Sequence, residues 1–150
     1  PITLGHLSVL QRAAKVFASV ELLIVHNPSK KPTFSLSERV DLARASLSEV
    51  GAPSNIKVST LESGLLVKHA QDLGAKAIIK GFRTASDIEY ELPMSQVNRD
   101  LSGIETVFLA AEAGFGFVSS SLVREVASLG GDVSKYVTEA VAKALEGASK

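Results

Sequence analysis

The sequence has no cysteine and no tryptophan, a single methionine, and aromatic residues at only 5% of its 150 positions. Without cysteine there is no disulfide, no Cys-ligated zinc and no thiol nucleophile, which fits a reducing compartment such as the cytosol. Charge of one sign is lacking too. The 16 Lys and Arg residues face 16 Asp and Glu, for a formal net charge of +0, so no overall field draws the chain to nucleic acid or to an anionic membrane. No apolar run approaches the roughly 20 residues that cross a bilayer, and no signal-peptide pattern is visible. Also missing are a Walker A motif, a Gly-x-Gly-x-x-Gly after a strand, and His-Glu-x-x-His, and with them the sites those motifs build.

What is present is a hydrophobic fraction of 45% in 150 residues, enough for one domain with a sizeable core. The chain opens on Thr3-Leu4-Gly5-His6, just ahead of an amphipathic run that places Leu7, Leu10, Ala14 and Phe17 on one helical face. Short apolar runs at Val20 to Val25, Ile56 to Thr60, Ala77 to Lys80 and Glu105 to Ala110 read as buried strands. Helical patterns lie between them. Ser35 and Glu38 have capping-box spacing and open one. A stripe of Leu65, Leu66, His69, Ala70 and Leu73 forms another, closed by Gly74. A third should begin near Ser86 or Asp87 and run to about Leu101, with Pro93 interrupting it, since an interior proline costs ~3 kcal/mol or more. Ser119-Ser120-Ser121 opens a fourth, closed by Gly130-Gly131, and a last helix runs from about Thr138 to Glu146. Strands alternating with helices predict an α/β fold: a single-domain, Rossmann-like parallel sheet with helices on both faces.

In such sheets ligands bind beyond the carboxyl ends of the strands, and the polar clusters fall there. Gly5 and His6 stand at a helix start, where free N–H groups favour an anion, although they need a strand before them to fit the same rule and these residues do not supply one. Lys30 and Lys31 follow the first strand. Lys80-Gly81-Phe82-Arg83 ends the third and puts two cations around a glycine. The three serines follow the fourth, with Arg124 one turn on. Glu89 and Glu91 flank Tyr90 beside the Arg83 cluster. Taken singly, lysine pairs in loops are most often only solvated, serines before a helix are most often only a cap, and a histidine at a helix start is often just part of the cap. Their convergence on strand ends is what points to phosphate chemistry.

Thr3-Leu4-Gly5-His6 resembles the T/H-x-G-H signature of the nucleotidyltransferase superfamily, and Ser119-Ser120-Ser121-Leu122-Val123-Arg124 its Ser-Ser-Ser-x-x-Arg/Lys counterpart. Asn27-Pro28-Ser29-Lys30-Lys31-Pro32, Ile79-Lys80-Gly81-Phe82-Arg83 and Asp87-Ile88-Glu89-Tyr90-Glu91-Leu92 are more particular. With Val97-Asn98-Arg99 and Gly130-Gly131-Asp132-Val133, they resemble the bacterial phosphopantetheine adenylyltransferase family, in order and at matching spacing from Pro1 to about Leu145.

The resemblance implies a magnesium-dependent reaction in which ATP and 4′-phosphopantetheine give dephospho-coenzyme A and pyrophosphate, the penultimate step of coenzyme A biosynthesis. It further implies a cytoplasmic homohexamer with no nucleic-acid or membrane partner, for which coenzyme A is a candidate feedback ligand. Carried over by motif, His6 is the catalytic residue and contacts the ATP phosphates. Gly81, Phe82, Arg83, Glu91, Phe115, Gly116, Phe117, Val118, Ser119, Ser120 and Ser121 bind ATP. Lys30, Leu66 and Lys80 bind the phosphopantetheine side, and Arg124 is a further phosphate contact. No protein-bound metal is implied. The chemistry suits the residues, because a phosphate oxygen already ionised attacks the α-phosphorus in line, with no covalent intermediate and no protein nucleophile.

The family carries a strand and a Pro-Gly-Thr/Ser-Phe-Asp turn just before the proline that is residue 1 here. Residues 1–150 are therefore expected to be one nucleotidyltransferase domain lacking its N-terminal strand, with about a dozen further residues, a strand and a turn, preceding it. The glycines between Glu112 and Gly116 stand where the family often has bulkier residues. Two rival readings remain at this point: another small-molecule nucleotidyltransferase, and a nucleotide- or coenzyme-A-binding protein without turnover.

Overall fold

The computed structural model describes residues 1–26 and 32–148. Thr3 opens helix α1 (Leu4–Val16) through a reciprocal capping box. Its hydroxyl accepts from the His6 amide, and the His6 side chain accepts from the Thr3 amide, so an imidazole stands where Glu or Gln usually does. Strand β1 (Val20–Val25) follows, then α2 (Leu36–Glu49), opened by the expected Ser35–Glu38 capping box. The chain continues through β2 (Ile56–Leu61), α3 (Leu66–Asp72), β3 (Ala77–Phe82), α4 (Ala85–Ser102) and β4 (Glu105–Ala110). A short 3-10 turn at Ala113–Phe115 leads into α5 (Ser120–Ser128) and α6 (Glu139–Ala148). Every element read from the sequence is there, and among the described residues no helix is long and apolar enough to cross a membrane.

The strands are parallel, as expected, but they pair two by two. Val20 lies opposite Ile56 and Val25 opposite Leu61 in one pair, Ala77 opposite Glu105 and Phe82 opposite Ala110 in the other. Helix α2 packs on β1 and β2, α4 on β3 and β4, and α1 touches both β1 and β3, tying the pairs together. Each of β1 and β3 has a strand on one edge only among the described residues.

Helix α4 lies where expected but departs from expectation at its proline. It begins at Ala85, because Thr84 caps it in a third reciprocal box with Asp87. It also runs unbroken through Pro93. The proline leaves the Glu89 carbonyl without its helical donor, but both residues are exposed, so water can take that place. Two ends and packing on β3 and β4 hold the rest. Strand β3 likewise runs two residues further than the apolar run suggests, with Gly81 and Phe82 still paired to Leu109 and Ala110. Glycine leaves room for α1 there: a Cβ on Gly81 would stand 3.0 Å from Cγ2 of Val9, a tight contact.

The main core is built from Val118, Val123, Val133, Val137, Val141, Leu145 and Phe34, and a smaller one from Ile24, Val40 and Ala43. Ile2 packs against both. Between them, Ser46 of α2 and Thr138, both buried, share a hydrogen bond of 2.7 Å. The carboxylate of Glu49 accepts the Glu139 and Ala140 amides at 2.7 and 3.3 Å, capping α6. This side of the molecule fixes where α5 and the residues just before it sit.

Candidate functional site

A cavity of about 400 Å³ opens between the start of α1, the end of β3 and the residues entering α5. Each wall follows from local sequence. The Thr3 box starts α1 so that His6 stands in its first turn. Phe115 closes over that turn, its Cβ 3.4 Å from where a Cβ on Gly5 would stand. Strand β3 delivers Gly81, Phe82 and Arg83 to the rim, α4 adds Asp87, Tyr90 and Glu91, and Val118, Ser119 and Ser120 form the far wall. Ser119 caps α5, its hydroxyl accepting the Leu122 amide at 3.1 Å. The helix starts of α1 and α5 therefore meet at one cavity, and their dipoles favour an anion there.

His6 is surrounded by protein atoms yet open to the cavity's solvent. This crowding, with the Arg83 guanidinium nearby, lowers the imidazole pKa from 6.5 to about 4. At neutral pH the ring is uncharged. Nδ1 lies 3.1 Å from the Thr3 amide nitrogen and 2.7 Å from its hydroxyl.

The cations of the site are held by acids. Arg83 grips Asp87 through two side-chain bonds, Nε to Oδ2 at 3.2 Å and Nη2 to Oδ1 at 3.0 Å, and its backbone amide adds a third at 2.8 Å. Nη1 of Arg83 reaches across to the Val118 carbonyl at 3.3 Å, linking α4 to the wall before α5. These hydrogen bonds from Arg83 hold the Asp87 carboxyl below the usual range. Lys80 pairs with Glu91 at 3.1 Å. Lys80 and Arg83 thus each have a negative partner.

Of the residues singled out from sequence, His6, Gly81, Phe82, Arg83, Glu91, Phe115, Val118, Ser119 and Ser120 line this cavity together. Lys80 joins it through Glu91. Gly116, Ser121, Arg124 and Leu66 are not in its lining. Phe117 is exposed and meets Tyr136 edge-on, with ring centroids 5.8 Å apart. Lys30 lies outside the described residues. Sequence reasoning passed over Thr3 and Asp87 as site residues, although Thr84-x-x-Asp87 has capping spacing and Arg83 stands four residues before Asp87, the distance at which helical side chains meet. Tyr90, exposed on α4 at the rim, carried no such signal.

A cavity with an uncharged imidazole, a guanidinium and two helix starts can hold a polyphosphate and stabilise charge moving across it, while offering no paired nucleophile and base. The sequence model of the cytidylyltransferase-like family matches residues 1–126. The chain is 47% identical over 145 residues to the phosphopantetheine adenylyltransferase of Clavibacter michiganensis subsp. michiganensis, covering 97% of this chain and 89% of the relative. It is 48% identical over 145 residues to the enzyme of that name from Leifsonia xyli subsp. xyli, with 97% and 91% covered. Against that from Corynebacterium glutamicum strain R it is 47% identical over 146 residues, with 97% and 89% covered.

Proposed function

The chain belongs to the cytidylyltransferase-like family and, within it, to the phosphopantetheine adenylyltransferases, and from that premise we propose that it transfers the adenylyl group of ATP to 4′-phosphopantetheine. The products are dephospho-coenzyme A and pyrophosphate, and the step is the penultimate one of coenzyme A biosynthesis. The observation that carries this reading is identity near one residue in two along 97% of the chain, joined to a cavity where the motif residues His6, Arg83 and Ser119 converge.

In this reading the acceptor's phosphate oxygen attacks the α-phosphorus in line, and pyrophosphate leaves. His6 donates a hydrogen bond to the ATP phosphates as charge shifts towards the leaving group. Arg83, Ser119 and Ser120 hold the outer phosphates, and Gly81, Phe82, Glu91, Phe115 and Val118 border the nucleotide. Lys80 binds the phosphate of the acceptor. Leu66, Gly116, Phe117, Ser121 and Arg124 keep the roles the family likeness gives them, as does Lys30, which lies outside the described residues. The rate then comes from positioning and fixed charge rather than from a covalent step.

Magnesium enters on the triphosphate. Among the described residues no three metal-ligating side chains gather into a site of their own, but Asp87 and Glu91 border the cavity, and magnesium is commonly held by one or two carboxylates with phosphates and water. Bound there, it would neutralise phosphate charge. We further propose a cytoplasmic homohexamer, with residues 1–150 acting as one domain and coenzyme A as a feedback ligand at the same cavity. Tyr90, Met94, Val97 and Leu101, all exposed, share one face of α4 and suit burial against another copy. Light scattering should give a particle several times 15.8 kDa, and a monomer at micromolar concentration contradicts the assembly. The reaction is tested with a substrate panel. Pyrophosphate should appear with ATP and phosphopantetheine together, and equal release with CTP or with nicotinamide mononucleotide as acceptor overturns the assignment.

A further inference from the structure

We propose that Thr3 is a positioning residue for this transfer: its amide and hydroxyl together hold the His6 ring with Nδ1 as acceptor, leaving Nε2 to carry the ring proton towards the cavity. The proposal rests on the adenylyl-transfer reading, and it specifies how the donor at that site is set.

A backbone N–H can only donate. With the Thr3 amide 3.1 Å from Nδ1, that nitrogen must offer its lone pair, so an uncharged ring has its proton on Nε2. The hydroxyl, 2.7 Å from the same atom, then donates to it as well. The hydroxyl's own lone pair faces the His6 amide at 3.4 Å. Thr3 is 1% exposed, so water does not compete for these bonds.

Two consequences follow. The ring is fixed in direction by a cap that the helix needs anyway, so the donor costs no reorganisation when charge develops. And a proton arriving at Nδ1 would set an N–H against the Thr3 amide, which can only donate. The ring can thus give a hydrogen bond without becoming a base, which suits a nucleophile that has no proton to lose. The other charged groups bordering the cavity are Arg83, Asp87 and Glu91, with Asp87 already bound to Arg83 and Glu91 to Lys80. None of them contacts Nδ1 in place of Thr3.

The test reads the ring itself. In nitrogen-15 spectra of the labelled protein at about pH 7, His6 should show a pyridine-like Nδ1 and a pyrrole-like Nε2. A ring protonated on Nδ1, or doubly protonated, overturns the proposal whether or not any variant folds. Thr3→Val keeps the shape and loses the hydroxyl. It should disturb the Nδ1 signal and lower kcat by roughly 10–10²-fold with KM for ATP little changed, and Thr3→Ser should restore both. A folded Thr3→Val protein with wild-type ring signals and wild-type kcat makes the hydroxyl only a helix cap. If wild-type protein transfers no adenylyl group at all, the functional reading falls, and the ring signals still decide the proton's place.

Discussion

Replacing His6 by alanine removes two things at once, and the structure allows them to be separated. The first is the catalytic donor. Loss of one preorganised donor to developing charge costs about 10²–10³ in kcat, or ~2.7–4 kcal/mol. The second is half of the capping box. Nδ1 is the acceptor of both the Thr3 amide and hydroxyl, and Thr3 is 1% exposed. Orphaning a buried donor costs about 1–3 kcal/mol, though water entering the open cavity should hold the loss near the lower end. His6→Gln separates the effects, because glutamine at this helix position closes a capping box through its side-chain oxygen. The expected pattern is therefore uneven. His6→Ala loses both stability and rate, whereas His6→Gln regains most of the stability and stays at least about tenfold slow in the chemical step. Urea unfolding, single-turnover kinetics and equilibrium ATP binding read the three quantities separately. Full rate in His6→Gln, or a loss in His6→Ala confined to ATP binding, would falsify the catalytic role and leave His6 as a cap.

Arg83→Ala should weaken ATP use and Lys80→Ala phosphopantetheine use, each by ~1.5–3 kcal/mol of lost charge-assisted bonding, and unchanged constants in steady-state kinetics return both residues to the surface. Glu49→Gln should destabilise by ~1 kcal/mol, because the carboxylate caps α6 through the Glu139 and Ala140 amides; denaturant unfolding should shift while kcat stays put. Stability should also fall as pH drops from 6.5 to about 4, because the unfolded chain protonates His6 first and protons in that window favour unfolding, with no His6 contribution above it. His6→Gln should flatten that part of the profile, and an undiminished slope assigns it to other groups.

The legible parts of this chain were those set by neighbours in sequence. Caps such as Ser35–Glu38, the four apolar strand runs and the helix start at Thr3 are decided within a few residues, and each is found where the local chemistry puts it. The strand ends then bring His6, Arg83 and Ser119 together as the parallel topology requires. What escaped depends on groups far apart in the chain or on solvent. Pro93 reads as a break until its exposure and the packing of α4 on β3 and β4 are known. The edge-on contact of Phe117 with Tyr136, nineteen positions on, follows no local spacing either. The pairing of Lys80 with Glu91, eleven positions on, follows no local spacing rule.

The most direct measurement is product analysis by mass spectrometry after incubation with ATP, magnesium and 4′-phosphopantetheine. The account predicts dephospho-coenzyme A and pyrophosphate in equal amounts, formed together and only when both substrates are present. ATP and phosphopantetheine that both bind, with neither product formed, would contradict it.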